Sequence, residues 1–268
     1  MSSQSPKISR RPHFRKVALA LWGQHGDPSV YGFVELDVTQ MKNKSNLLAM
    51  ITKATGQTMK KNTELTSMIK WGGITQRKDC TISLMVNIPE TQKDLSAMNL
   101  EDTDRMTIEA IQNILNSKSR VIRSHQDPHL GPVLKIIRFI PRPILKMFLG
   151  LYSFLIYELE TRLGITPLPL RPFGSVIISN VGSLGIKKAL LPLVPLARAT
   201  MMMSIGKISK EPKVIDEAIC IREIVNLGIT FDHRLFDGSH AAKMLNDFQE
   251  SFEALLKNES LDDLKGVS

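Results

Sequence analysis

The residues best suited to chemistry are a histidine and an aspartate four apart, in the run Asp232, His233, Arg234, Leu235, Phe236, Asp237, Gly238. His233 follows the apolar, strand-like residues Ile229, Thr230 and Phe231, and Gly238 then lets the chain turn into a helical pattern. A strand end of this kind can hold an imidazole partly desolvated and in one tautomer, which is what a general base needs. Asp237 can orient the imidazole or brace the loop by pairing with an arginine. A metal pair is disfavoured, because no third ligand lies beside these two. The residues alone also allow a structural histidine, hydrogen-bonded at a strand end. Ser179, at the end of a second strand-like run (GSVIISN), is a weaker candidate: a serine before a turn commonly satisfies backbone groups.

The elements that must position these residues can be read from periodicity. Val30 to Val38 alternates as a strand, Met41 to Met59 reads as a helix, and Cys80 to Ile88 is strand-like and closed by Pro89. Thr107 to Ser119 reads as a helix, with Thr107 as its cap. Gly174 to Asn180 is a strand, and Gly182 and Gly185 permit a tight bend after it. Thr200 to Ile208 and Ile221 to Phe231 suit buried strands. Ser239 to Leu256 is helical, with Ala241, Leu245, Phe248, Phe252 and Leu255 on one face, and the polar residues after it read as frayed. Strands mixed with long helices predict a two-layer α/β domain with a substantial sheet.

Composition narrows the function classes. The 268 residues include only Cys80 and Cys220, far apart and without zinc spacing, which fits thiols in a reducing, cytoplasmic setting. No secretory signal and no spanning run of apolar residues is visible. Residues 1–78 hold 13 Lys and Arg against 4 Asp and Glu, whereas the rest hold 22 of each. The basic third suits nucleic acid, anionic lipid, a phosphorylated cofactor or simply a solvated face. A nucleic-acid partner is not expected, because no zinc finger, RNA-binding signature or recognition helix is present.

Residues 118–146 carry seven basic side chains and one acid, Asp127, and Pro141 and Pro143 interrupt any long helix there. The apolar run Ile144 to Glu160 follows, broken only by Lys146 before its acidic end. It reads as a buried core helix, as a helix lying on a membrane with help from Arg138, Arg142 and Lys146, or as the wall of a long acyl site. Met201, Met202 and Met203 fit core or a subunit interface better than a pliable acyl pocket. Lys187 and Lys188 follow the glycine turn and could meet phosphates or remain solvated.

The run DHRLFDG matches the DHR-x-x-DG motif of the catalytic core of 2-oxoacid dehydrogenase dihydrolipoyl acyltransferases, which belong with chloramphenicol acetyltransferase. GSVIISNVGSLG, residues 174–185, resembles the second motif of that family, with His233 following Ser179 by 54 positions. VYGFVELDVT, residues 30–39, resembles the family's early strand, and Arg10 to Leu21 would be its basic first helix. The resemblance therefore runs along nearly the whole chain.

What the resemblance implies is specific. The fold would be the chloramphenicol acetyltransferase-like two-layer sandwich with a mixed sheet. His233 would be the general base, Ser179 would donate to the oxyanion, and Asp237 would hold the loop, through an arginine such as Arg15, Arg10 or Arg11. Asn180 and Gly238 would support the geometry. The assembly would be a homotrimer or a set of trimers, with His233 from one subunit and Ser179 from its neighbour lining a tunnel. Coenzyme A would be the acyl carrier, entering as acyl-CoA, with no metal and an acceptor of unknown identity.

Three departures from the family are visible. Lipoyl and subunit-binding segments are absent from this sequence, so no covalent lipoyl group is expected on it. The Gly-Leu-x-x-Pro stretch is missing after Ile88 and Pro89, and residues 126–170 look inserted. The expected organisation is a basic arm over 1–12, a catalytic domain over 13–260 and a polar tail over 261–268. A catalytically inactive oligomeric scaffold is the rival reading, and peripheral membrane contact through 135–160 is a further expectation.

Overall fold

The structure, a computed structural model, describes residues 27–77, 80–87, 95–123, 141–161 and 173–265. Its centre is a mixed sheet built on one long strand. The strands are β1 (Ser29–Asp37), β4 (Ile82–Asn87), β5 (Leu95–Leu100), β6 (Val176–Asn180), β7 (Met201–Ile205), β8 (Ser209–Ile215) and β9 (Ala218–Asp232), and their order is β1-β9-β7-β6-β4-β5. β6 lies parallel to β4 and β7, whereas β9 runs antiparallel to β1, β7 and β8. β9 is 15 residues long, so its first half can pair with β8 while its second half sits between β1 and β7. A separate hairpin joins β2 (Ser67–Lys70) to β3 (Gly73–Gln76).

The two-residue period of the strands decides which side chains meet the helices. Val225, Leu227, Ile229 and Phe231 of β9, with Met201 and Met203 of β7 and Val176 and Ile178 of β6, join one buried core. Against it pack α1 (Leu47–Lys61), α2 (Ile108–Arg123) and α4 (Gly238–Lys265), whose Met50, Ile51, Ala54, Ile111, Phe248 and Phe252 are buried. Thr107 caps α2 as expected, its hydroxyl accepting from Ala110 N at 3.1 Å. Thr52, Thr55 and Thr58 turn their hydroxyls onto carbonyls four residues back, so their presence inside α1 leaves no unmet donor.

The opposite face of β6, β7 and β9 is covered by the chain from 186 to 199. Ile177, Ala197, Ala199 and Met202 form a second cluster there, with Leu191 and Leu193 packed against it. The hydroxyls of Ser204 and Thr230 donate to the carbonyls of Ala189 and Leu191 at 2.5 and 2.6 Å. Gly228 is required by this contact: a Cβ there would fall 1.9 Å from the Ala189 carbonyl oxygen. The methionine triplet is therefore buried, divided between the two faces of β7.

Several elements differ from expectation. The last helix does not end near Leu256 but continues to Lys265, so the tail boundary at 261 falls inside it. The residues beyond 256 include good helix formers, and no helix-breaking residue follows Gly238 until Gly266. The β2–β3 hairpin, β5 and β8 carry no strong apolar alternation and were not expected as strands. The run from Ile144 is neither a wholly buried core helix nor irregular. It forms α3 (Arg142–Ser153) and a π turn over Phe154–Glu158, with Tyr152, Ile156 and Tyr157 buried against Met68 and Leu196. Its other side is exposed. The arm 1–12, the expected helix Arg10–Leu21, Arg15, Arg138 and the rest of 126–170 outside 141–161 lie outside the described residues.

Candidate active site

His233 directly follows β9, one residue past Asp232, where the sheet gives way to α4. Its backbone N–H donates to the Pro28 carbonyl at 2.8 Å, which ties the loop to the residue before β1. Its ring Nδ1 lies 2.8 Å from the Phe236 carbonyl oxygen. A carbonyl can only accept, so Nδ1 carries a proton, and in the neutral ring the lone pair lies on Nε2. That is the tautomer a general base needs, and the bond also fixes the ring plane. The ring is half-buried, between the core and the surface.

The loop around it is braced twice. Arg234 grips the buried carboxylate of Asp232 with Nε at 2.9 Å and Nη2 at 2.7 Å, and the Arg234 backbone N–H adds a bond of 3.0 Å. Asp232 in turn donates its own N–H to Thr200 on the neighbouring turn. Asp237 stands at the position before α4 and caps it. Its Oδ1 accepts from His240 N at 2.9 Å, from the Ser239 hydroxyl at 2.7 Å and from the His240 ring at 2.5 Å. The His240 backbone bond, then the Ser239 hydroxyl and the His240 ring, hold this carboxyl well below the usual carboxylate range.

Asp237 caps α4, and the arginines expected to pair with it, Arg15, Arg10 and Arg11, lie outside the described residues. Sequence reasoning missed the Asp232–Arg234 brace and His240. The first was legible as Asp-x-Arg within the motif, and the second as the third residue of a helix after an aspartate cap.

Ser179 occupies the end of β6, on the face away from the helices, and is half-buried. Asn180 follows and shapes the turn: its side chain accepts from Ser183 N at 3.2 Å, and the Ser183 hydroxyl donates to the Asn180 carbonyl at 2.7 Å. The turn is a 3-10 helix over Val181–Leu184, closed by Gly185 at φ 84°, a conformation that favours glycine. Beside it opens a groove of about 420 Å³, bordered by Asn180, Gly182, Ser183, Lys207, Lys44 and Ser45. Lys44 also pairs with Glu223 at 2.7 Å, and Lys188 lies 3.5 Å from Glu35.

Within one chain the two catalytic candidates do not meet. Ser179 is in register with Ser204 on β7, and Ser204 is in register with Gly228 on β9. His233 is five residues beyond Gly228, about 16 Å of extended chain, and two strand spacings to the side. Among the described residues no cluster of three or more His, Cys, Asp or Glu side chains is arranged to hold a metal ion.

Residues 173–258 match the family model of the 2-oxoacid dehydrogenases acyltransferase (catalytic domain). The dihydrolipoyllysine-residue acetyltransferase component of the pyruvate dehydrogenase complex of Zymomonas mobilis is 35% identical over 80 residues, 30% of this chain and 18% of that protein. The chain spans less than half the length of the curated relatives it matches.

Among solved structures, a probable dihydrolipoamide acetyltransferase from Listeria monocytogenes superposes with a TM-score of 0.61 at 18% identity, covering 93% of this chain and 95% of that one. Chloramphenicol acetyltransferase superposes with a TM-score of 0.50 at 11% identity, covering 93% and 100%. The fold is the chloramphenicol acetyltransferase-like α/β sandwich with a mixed sheet, and the chain resembles the catalytic core of the 2-oxoacid dehydrogenase acyltransferases.

Proposed function

We propose that this chain is a coenzyme A-dependent acyltransferase of the 2-oxoacid dehydrogenase acyltransferase type. The observation that carries the reading is the hydrogen bond from His233 Nδ1 to the Phe236 carbonyl, within the loop that matches the family's signature, because it fixes the ring and, in the neutral form, assigns the lone pair to Nε2. Transfer is direct. His233 Nε2 takes the proton from an acceptor thiol, hydroxyl or amine as that group attacks the thioester carbonyl. The oxyanion that forms accepts a hydrogen bond from the Ser179 hydroxyl. Collapse breaks the carbon–sulfur bond, and the imidazolium returns its proton to the departing coenzyme A thiolate.

This chemistry needs two copies of the chain, since one copy holds His233 and Ser179 at opposite ends of its sheet. A homotrimer, with each site shared by neighbours, satisfies the requirement and is the assembly expected from the family resemblance. The protruding β8–β9 hairpin, with Val214, Ile219 and Ile221 exposed on one face, offers an apolar surface for such a contact. The groove beside the Ser179 turn supplies Lys44 and Lys207 for the phosphates of coenzyme A.

The test is thiol release from a panel of short, branched and long acyl-CoAs with thiol, hydroxyl and amine acceptors. Wild type should release coenzyme A with at least one pair, and His233→Ala should lower the rate by roughly 100-fold or more. Silence of the wild type across the whole panel would favour an inactive scaffold.

A further inference from the structure

α3 carries its apolar stripe on the wrong side for a core helix. Ile144, Met147, Phe148 and Leu151 recur at spacings of three and four, yet all four are exposed, Met147 by 66% and Phe148 by 54%. Phe154 extends the stripe into the π turn. The helix is nevertheless firmly mounted. Tyr157 donates its hydroxyl to the Ala197 carbonyl at 3.0 Å, and the Arg198 guanidinium lies 4.8 Å from the centre of its ring. The stripe is therefore held outward by a fixed base.

Trp71 continues the same surface. It sits at the tip of the β2–β3 hairpin, 63% exposed, with its ring edge-on to Phe154 at 5.6 Å. Its indole N–H is satisfied by the Glu158 carbonyl at 3.2 Å, so the ring can present its apolar body outward. Trp71 and Gly72 both have positive φ, 51° and 65°. A bulky residue at such a position works against local backbone preference, and Trp71 is held there by bonds to Glu158.

Charge decides what covers this surface. The sequence of α3 contains Arg142 and Lys146 and no acid. The two acids that follow are neutralised, Glu158 by Arg198 at 2.8 Å and Glu160 by Lys70 at 2.7 Å. The surface therefore carries the two cations of the α3 sequence with no unpaired acid among the residues that follow it to Glu160. A second copy docked symmetrically through this helix would set like charges against each other. An anionic bilayer matches both the apolar stripe and the positive balance, and an exposed tryptophan is characteristic of the bilayer interface.

We propose that α3 and Trp71 form a peripheral membrane-docking surface for anionic lipid, with the stripe from Ile144 to Phe154 entering the headgroup boundary. The proposal does not rest on acyl transfer, so either can fail without the other.

The experiment is co-sedimentation of the full chain with vesicles of phosphatidylcholine alone, and with vesicles of phosphatidylcholine and phosphatidylglycerol in about equal parts. Binding to the anionic vesicles should be at least about tenfold stronger and should weaken in high salt. Phe148→Glu with Leu151→Glu should reduce it at least about tenfold, and Trp71→Ser by several-fold. Circular dichroism should show both variants folded; if the double substitution does not fold, Met147→Glu serves in its place. Binding to neither vesicle would overturn the proposal, as would anionic binding that survives the stripe substitutions. A wild type that ignores vesicles, together with a fall in oligomeric mass in the stripe variant, would instead assign the surface to a second copy.

Discussion

Ser179 and His233 face opposite ends of one sheet: the serine is in register, through Ser204, with Gly228, and the histidine lies five residues farther along the same strand. β6 and β9 run in opposite directions, so their C-terminal ends emerge at opposite ends of the sheet. A site using both residues has to be assembled between copies. His233→Ala and Ser179→Ala should each be inactive alone. On the proposed shared-site trimer, mixtures refolded from equal amounts of the two should recover about a quarter of wild-type activity, the fraction of junctions that pair an intact histidine with an intact serine. No recovery, from mixtures shown to co-assemble, would place both residues' roles within one chain or outside catalysis.

Asp237→Ala removes the cap of α4 and should lower stability by about 1 kcal/mol, whereas Asp237→Asn should retain most of the capping. The wild-type carboxyl is held below its ordinary value by bonds from His240 and Ser239. A carboxylate of this kind contributes fully above the ordinary carboxylate pKa, and the contribution is lost as pH falls from there through the depressed one. Denaturation midpoints measured from neutral pH into the acid range should therefore converge for wild type and Asp237→Ala. Parallel curves would show that the cap is not the carboxylate.

Arg234→Met should destabilise by about 2 kcal/mol, between the values for exposed and buried pairs, because the Asp232 carboxylate is almost fully buried. Asp232→Asn combined with Arg234→Met should cost less than the sum of the single substitutions. Additive effects in urea unfolding would mean that the two side chains do not act as a pair.

Gly228→Ala should be among the most damaging methyl additions in the chain. The new carbon would meet the Ala189 carbonyl at 1.9 Å and the Ser204 hydroxyl at 2.7 Å, so the covering segment would have to lift. A loss of about 1–3 kcal/mol is expected, with increased amide exchange in residues 186–199. Unchanged exchange there would show that the sheet yields instead.

The sequence by itself determined the local pieces: the apolar alternation of β1, the apolar runs of β6 and β9, the periodic face of α4, and the signature loop holding His233 and Asp237. The strands and helix follow from spacing, because their periods are fixed by backbone geometry, whereas the loop was legible through its resemblance to a family motif. The sequence did not reveal β8, whose polar residues and Pro212 become a strand only by pairing with the long β9. It also left open which side of the Ile144–Glu160 run would be buried, since an apolar stripe looks the same whether it faces a core or solvent. Tertiary structure decided that, by burying Tyr152, Ile156 and Tyr157 and turning the rest outward. It also decided that Ser179 and His233 part company within a single chain, because strand direction and register are properties of the assembled sheet and are written in no single segment.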